Sequence, residues 1–204
     1  ILSDPDIFGN IKYTLIGGAQ PSSGLSRRIV ESGIKAYVSY GMTETCSHVA
    51  LRKVEDSPEE IYEGMPDIYF SKDTRDCLII RSDSRSFKKL YTNDIVDLRD
   101  ERHFSWKGRI DNVINSGGIK VYPEEIELQL HRIIPADIEF YIARQRDEKW
   151  GEVPVIVISK EVKDMDNLLA DARNSVKSKA QRPARIIVSE IRHTSSGKII
   201  RERL

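Results

Sequence analysis

Apolar positions between residues 12 and 40 fall into three patches with different periods. Lys12-Tyr13-Thr14-Leu15-Ile16 is short and apolar, and it runs into Gly17-Gly18-Ala19-Gln20, where the backbone must turn or approach something closely. Pro21-Ser22-Ser23 then opens a helix that carries Leu25, Ile29 and Val30 at helical spacing and stops at Gly33. Residues 34–40 return to strand alternation. The pattern predicts strand, helix, strand, which suggests a parallel α/β unit.

From about residue 47 to 107 the period shortens. Strands are predicted at 48–54, 67–71, 77–81, 94–98 and 102–107, separated by Pro, Asp, Ser and Asn, and this spacing predicts a small antiparallel sheet or barrel. Residues 108–112 and 116–118 form a seam. Beyond it, Pro123 with Glu124 and Glu125 opens a helix whose Ile126, Leu130 and Ile134 share one face. Segments 138–143 and 153–159 read as buried strands. A further helix from about Asp166 carries Leu168, Leu169, Ala172 and Val176 on one side and ends before Pro183. The fold class is therefore α/β plus α+β.

Composition narrows the function classes. The chain has 204 residues, 39% apolar and 31% charged, as an ordinary globular protein does, and its 32 basic residues balance 32 acidic ones. Global charge thus gives no argument for nucleic acid or a membrane surface. No stretch approaches the ~20 apolar residues of a membrane helix. The start, Ile1-Leu2-Ser3-Asp4-Pro5, lacks an initiator Met and any secretory signal, and looks like a piece cut from a longer chain. Cys46 and Cys77 are too few for a disulfide framework and read as reduced thiols of a cytoplasmic protein. The four histidines lack zinc-ligand spacing. The last 32 residues hold nine Lys/Arg against Glu190 and Glu202, but no aromatic residues that would stack bases, so nucleic acid is not expected as a partner.

Five segments carry candidate chemistry. Tyr40-Gly41-Met42-Thr43-Glu44-Thr45 crowds two hydroxyls and a carboxylate around a glycine turn; it is either a polar turn capped by Thr or a place for Mg²⁺ and phosphate. Asp94, after Tyr91-Thr92-Asn93, is either a turn residue or an acceptor for both hydroxyls of a ribose. Arg109 in Gly108-Arg109-Ile110-Asp111 either pairs with Asp111 or faces a ligand. Ser116-Gly117-Gly118 is either a hairpin turn or a close approach of backbone to a ligand. His193-Thr194-Ser195-Ser196-Gly197-Lys198 lacks the first glycine of a phosphate loop, and Ile199 stands where Ser/Thr would follow Lys. Lys198 remains a cation that either ends a solvated tail or meets an anionic transition state.

Taken together and in order, these segments resemble one family. The Gly17-Gly18-Ala19 turn, residues 40–45, Thr92 to Asp94, Gly108-Arg109-Ile110-Asp111, Ser116-Gly117-Gly118, Pro123-Glu124-Glu125-Ile126-Glu127 and Thr194-Ser195-Ser196-Gly197-Lys198 fall where the adenylate-forming acyl-CoA ligases have their motifs. That superfamily also holds luciferases and the adenylation domains of peptide synthetases. The resemblance covers nearly the whole chain. It implies residues 1–110 as the end of a large AMP-binding domain and 111–204 as a small mobile lid, with Asp111 at the hinge.

The resemblance also implies a reaction. A carboxylate attacks the α-phosphate of Mg·ATP to give an acyl-adenylate and pyrophosphate, and the thiol of coenzyme A then displaces AMP. Carried over, Gly17, Gly18 and Ala19 line the pocket shared by adenine and acyl group, with Tyr40 and Gly41 beside it. Thr43 contacts phosphate, Glu44 holds Mg²⁺, Asp94 holds the ribose and Arg109 lies on the nucleotide. Lys198 bridges the substrate carboxylate and phosphoryl oxygens, while Gly117, Gly118 and Trp150 border the coenzyme A channel. The alternative for Trp150 is packing beside the strand at 153–158. Ser47, just past Thr45, would suit an acid with a second carboxylate, since a buried carboxylate needs donors; otherwise it begins the next strand.

Two departures stand out. Asn93 replaces the family's Gly before Asp94, and His193 stands where Pro or Arg is common. The family's phosphate loop lies upstream of anything in residues 1–204, so the chain alone is expected to be a poor catalyst. Another acyl- or aryl-CoA ligase and a non-catalytic nucleotide-binding module are the alternatives. The oligomeric state stays open, a homodimer among the possibilities.

Overall fold

The computed structural model describes residues 11–18, 21, 23–55, 57, 59–195 and 197–204. Ile1 to Pro5, Ala19, Gln20, Ser22 and Ser196, all named in the sequence reading, lie outside the described residues. The chain divides into two compact units between Lys107 and Gly108.

The first unit is one eight-stranded sheet. Strand β1 (Thr14–Ile16) leads through α1 (Ser23–Glu31) to β2 (Ala36–Gly41), which pairs with β1 in parallel, Leu15 opposite Tyr37. Gly33, at φ +72°, turns the chain out of the helix. Six strands follow: β3 (His48–Lys53), β4 (Ile61–Gly64), β5 (Ile68–Lys72), β6 (Cys77–Ser82), β7 (Lys89–Leu98) and β8 (His103–Arg109). The spatial order is β1-β2-β3-β4-β8-β7-β6-β5. The α/β unit and the antiparallel strands are therefore continuous rather than stacked as separate sheets, because β2 pairs antiparallel with β3. The sequence pattern did not register β4. Its four residues follow Glu59-Glu60 and end in Gly64, too short for alternation to stand out.

The core of this unit is aromatic at its centre. Phe104 is fully buried, stacks on Tyr62 at 5.3 Å, and meets Tyr40 and Phe70 edge-on at 5.2 and 4.8 Å. Such ring pairs add to the burial of apolar area.

The second unit has a smaller sheet covered by helices. A tight hairpin joins β9 (Ile114–Ser116) to β10 (Ile119–Val121), and β11 (Phe140–Asp147) runs antiparallel to β12 (Gly151–Ile158). The order is β10-β9-β12-β11, and β13 (Ile186–Val188) pairs with β12 in parallel. Helix α2 (Pro123–Leu130) starts with Pro123 and carries Glu124 and Glu125 in its first turn, where the helix dipole favours acids. Helix α3 (Met165–Ser175) is capped by Asp164, whose side chain accepts from the Asn167 N–H at 3.0 Å. Ile126, Leu130, Ile142, Ile156 and Ala172 meet in its core. No helix among the described residues is long and apolar enough to cross a membrane.

Phe104→Ala removes the ring that three others pack on, and is expected to cost about 3–5 kcal/mol, read as a shift of the urea midpoint. A loss below about 1 kcal/mol would show that the site collapses around the gap.

Candidate functional site

In the first unit the candidates gather at the carboxyl ends of β1 and β2. Because the two strands are parallel, the Gly17-Gly18 turn and the 41–45 turn leave the sheet at the same end, the usual place for a ligand crevice in an open α/β sheet. Gly18 has φ +90°, and a Cβ on Gly17 would come within 3.2 Å of Ser39 Oγ, which itself donates to the Ile16 carbonyl at 3.2 Å. A side chain at Gly17 would press on that contact.

In the following turn the two threonines divide their work. Thr45 is buried: its hydroxyl accepts from the Met42 N–H at 3.0 Å and lies 2.8 and 2.6 Å from the Met42 and Ser47 carbonyls. That is the capping role. Thr43 and Glu44 are exposed in the same 3₁₀ turn. Gly41 is required sterically, since a Cβ there would sit 2.5 Å from the Ser47 carbonyl oxygen. Ser47 Oγ lies 3.1 Å from His48 Nδ1, just before β3.

Asp94 is brought to this end by an irregularity in β7. Ile79 of β6 faces Tyr91, but Cys77 faces Ile95, so Leu78 alone spans Thr92, Asn93 and Asp94. The bulge is held by the buried Thr92, whose hydroxyl donates to the Leu78 carbonyl at 2.9 Å and accepts from the Asp94 N–H at 3.1 Å. Arg75 Nη2 donates to the Thr92 carbonyl at 3.3 Å. Asp94, only 7% exposed, accepts from Tyr40 Oη at 2.6 Å and from Trp106 Nε1 at 3.2 Å. It lies inside a strand, not in a turn before one. Tyr40 and Asp94 are thus in direct contact, while Trp106 was missed because an indole two residues before Gly108 carries no spacing signal.

A cavity of about 520 Å³ lies elsewhere in this unit, against Arg52, Glu63, Met65 and His103, and none of the candidate residues line it.

In the second unit the candidates are spread over three places. Arg109 Nη2 pairs with Asp111 Oδ2 at 3.0 Å, both side chains exposed, and the Asp111 carbonyl accepts from Arg144 Nη2 at 3.1 Å. Of the two readings for Arg109, pairing with Asp111 is the arrangement present. Gly117 and Gly118, at φ +60° and +82°, form the two-residue turn of the β9–β10 hairpin. Gly117 N–H donates to the Trp150 carbonyl at 2.8 Å, and a Cβ on Gly117 would lie 2.7 Å from Trp150 Cε3. Trp150 is 48% exposed at the turn between β11 and β12, and Lys149 Nζ lies 5.0 Å from its ring centroid. Lys198 is exposed in a short loop closed by Thr194, whose N–H donates to the Lys198 carbonyl at 2.8 Å.

The helix after the hairpin supplies a buried carboxylate that sequence reasoning did not single out. Glu124 Oε1 accepts from Asn112 Nδ2 at 2.6 Å, and its Oε2 is buried with no partner among the described residues. A Cβ on Gly108 would fall 2.4 Å from that oxygen. Burial pushes the carboxyl pKa above its ordinary value, against the opposing pull of Arg201 and Asn112. Glu124 and Glu127, three apart on one helix, point to the same interior, which is the only hint in the sequence.

No protein-family model matches the chain. Over 96% of its length it is 27% identical to the 2-succinylbenzoate–CoA ligase of Lactococcus lactis and covers 47% of that protein. Among solved structures, the o-succinylbenzoate CoA synthetase of Bacillus subtilis in complex with the acyl-adenylate intermediate OSB-AMP superposes with TM-score 0.77 at 25% identity, over 95% of this chain and 46% of the other. The same enzyme in complex with ATP and magnesium gives TM-score 0.74 at 25% identity, over 93% and 45%. The chain spans about half the length of the curated relatives it matches.

Two measurements follow from the geometry. Gly118→Ala, with open space around it, should cost only the ~1–2 kcal/mol of a left-handed alanine. Gly117→Ala should cost more and shift Trp150 fluorescence; equal costs and an unmoved spectrum would show that the two do not touch. As to pH, the folded state keeps the Glu124 proton to higher pH than the unfolded chain, so its share of stability is full below 4.5 and falls as pH rises toward the raised pKa. Glu124→Gln, neutral throughout, should lack this decline and be more stable near neutrality by about 1 kcal/mol. Parallel urea midpoints between pH 4.5 and 8 would contradict this.

Proposed function

We propose that this chain, which matches the C-terminal part of AMP-binding ligases, supplies that part of an ATP-dependent acid–CoA ligase. The observation that carries the reading is the meeting of Gly17-Gly18, the Gly41–Glu44 turn and the Tyr40–Asp94 pair at the carboxyl ends of two parallel strands. The Asp94 carboxylate takes a hydroxyl donor from Tyr40, and the two hydroxyls of a ribose are donors of the same kind.

The remaining roles follow from what each residue presents. Gly17 and Gly18 leave room for adenine and the acyl group. Thr43 offers a hydroxyl to phosphate. Mg²⁺ is held by one or two carboxylates together with substrate phosphates, and the single exposed Glu44 fits that donor set. The ion would shield phosphate charge during attack. Arg109 would meet the nucleotide on leaving Asp111, the residue assigned as hinge. Lys198, exposed in its loop, would bridge the acid's carboxylate and the phosphoryl oxygens and stabilise charge as it develops, without acting as a base. Gly117, Gly118 and Trp150 would border the channel for the coenzyme A thiol.

The acid we infer is o-succinylbenzoate, activated for menaquinone biosynthesis in the cytoplasm. The ligases of that name among the relatives support this, as does Ser47, a donor beside the 41–45 turn for a second carboxylate. Another acyl- or aryl-CoA ligase is the second reading, since one serine sets little specificity.

The test completes the chain with the upstream part of the Lactococcus lactis relative and follows AMP release with ATP, Mg²⁺, coenzyme A and a panel of acids. Turnover selective for o-succinylbenzoate is expected. Turnover with another acid replaces the substrate, and no AMP with any acid overturns the ligase reading. Lys198→Ala should lower adenylate formation about 10²-fold or more and spare thioester formation from supplied adenylate. Equal loss of both steps counts against the role of Lys198.

A further inference from the structure

Strand β11 is the last on its side of the second sheet, and at Ile142 side chains take the place of a neighbouring strand. Ile142 N–H donates to Glu127 Oε1 at 2.7 Å, and the Ile142 carbonyl accepts from Arg201 Nη1 at 3.2 Å. Arg201 also grips Glu127 as a fork, Nη2 to Oε2 at 2.7 Å and Nη1 to Oε1, across 74 positions of sequence. Its guanidinium lies 5.9 Å from the Tyr141 ring centroid. Beyond it, Leu204 N–H donates to the Arg144 carbonyl at 3.0 Å, so the 201–204 segment is laid along β11.

Lys198 sits just before this anchor. Ile199 packs with Tyr141, Ala143, Val157 and Ile191, and Ile200 N–H donates to the Arg192 carbonyl at 2.8 Å. Within four residues the chain presents an exposed lysine, an inward isoleucine and a largely buried arginine.

We propose that Glu127 and Arg201 are positioning residues that hold the Lys198 loop against β11, an inference that rests on the adenylation role given above to Lys198. A mobile lysine would lose conformational freedom on meeting its anion, and an anchored loop has lost part of it beforehand. Two separate motifs of the sequence, 123–127 and 194–198 with its downstream Arg, are on this account one device. Burial alone would depress the guanidinium pKa, and the bond to and charge of Glu127 outweigh it, so the cation is secured.

Hydrogen exchange on the 204-residue chain reads the anchoring without reference to activity. Arg201→Lys keeps a charge beside Glu127 but loses the fork, and should speed exchange at the Thr194 and Ile200 amides about 10-fold or more while leaving Val155 and Val157 of β12 unchanged. Glu127→Gln with Arg201→Gln removes both charges of the fork together and should act on the same amides. No acceleration in the loop, or equal acceleration in β12, overturns the anchoring. In the completed ligase, Arg201→Lys should slow adenylate formation about 10-fold and spare thioester formation from supplied adenylate. A loosened loop with undiminished adenylation overturns the role of Lys198 and leaves the anchoring; a firm loop with slowed adenylation overturns the anchoring and leaves that role.

Discussion

A carboxylate buried in a sheet is costly unless donors reach it, and Asp94 receives them from two other strands. The bulge at 92–94 of β7 turns its side chain out of register, Tyr40 of β2 donates to one oxygen, and Trp106 of β8 donates to the other. Both partners lie on the same side of β7 in the strand order, β8 beside it and β2 three strands further on, with β3 and β4 between them. The contact is possible because the sheet curves around the aromatic cluster of Tyr40, Tyr62, Phe70 and Phe104. The same tyrosine therefore serves the core with its ring and the carboxylate with its hydroxyl. Anything that straightened β7 would leave Asp94 without its place and the Tyr40 hydroxyl without this acceptor.

The second unit meets a different constraint, that of an edge. A strand with unpaired N–H and C=O groups invites pairing with other chains, and β11 is covered instead by an ion pair and by residues 201–204. Using an ion pair for this is expensive in desolvation unless each oxygen and N–H has a defined partner. Glu127 meets that condition, with the Ile142 N–H and the Arg201 fork on its two oxygens. Glu124 does not. One of its oxygens is left beside Gly108, at the point where the two units divide.

Much of the fold was legible because it is periodic. Leu25 and Ile29 in α1, Ile126 and Leu130 in α2, and Leu168 and Ala172 in α3 mark their helices by spacing alone, and the 138–143 and 153–159 segments overlap β11 and β12. What was not legible is aperiodic or distant. The first half of β7, Lys89-Leu90-Tyr91, reads as polar surface, and the bulge that follows breaks the alternation which would have joined it to 94–98. The Tyr40–Asp94 contact spans 54 positions, and nothing local in either segment names the other. The resemblance placed both in one neighbourhood; only the geometry supplies the bond. The same holds for Glu127, which stood in a quoted motif with no chemistry attached until Arg201 appeared opposite it.

The polar motifs divide by what their side chains do within the described residues. Thr45, Thr92 and Arg201 point inward, and their hydrogen bonds hold turns, a bulge and an edge. Thr43, Glu44 and Lys198 lie one, two or three positions away along the same motifs and are exposed. A motif of this kind holds an inward residue that fixes the backbone and an outward one left to meet a ligand, and both are needed. An outward residue on an unfixed loop would have to be ordered at each encounter, at the entropic cost of immobilising a long side chain and its backbone. Reading such a motif by residue type alone assigns chemistry to all its polar members. Burial separates them, because a hydroxyl or guanidinium engaged by three internal partners has little left to offer a substrate, whereas its exposed neighbour has everything.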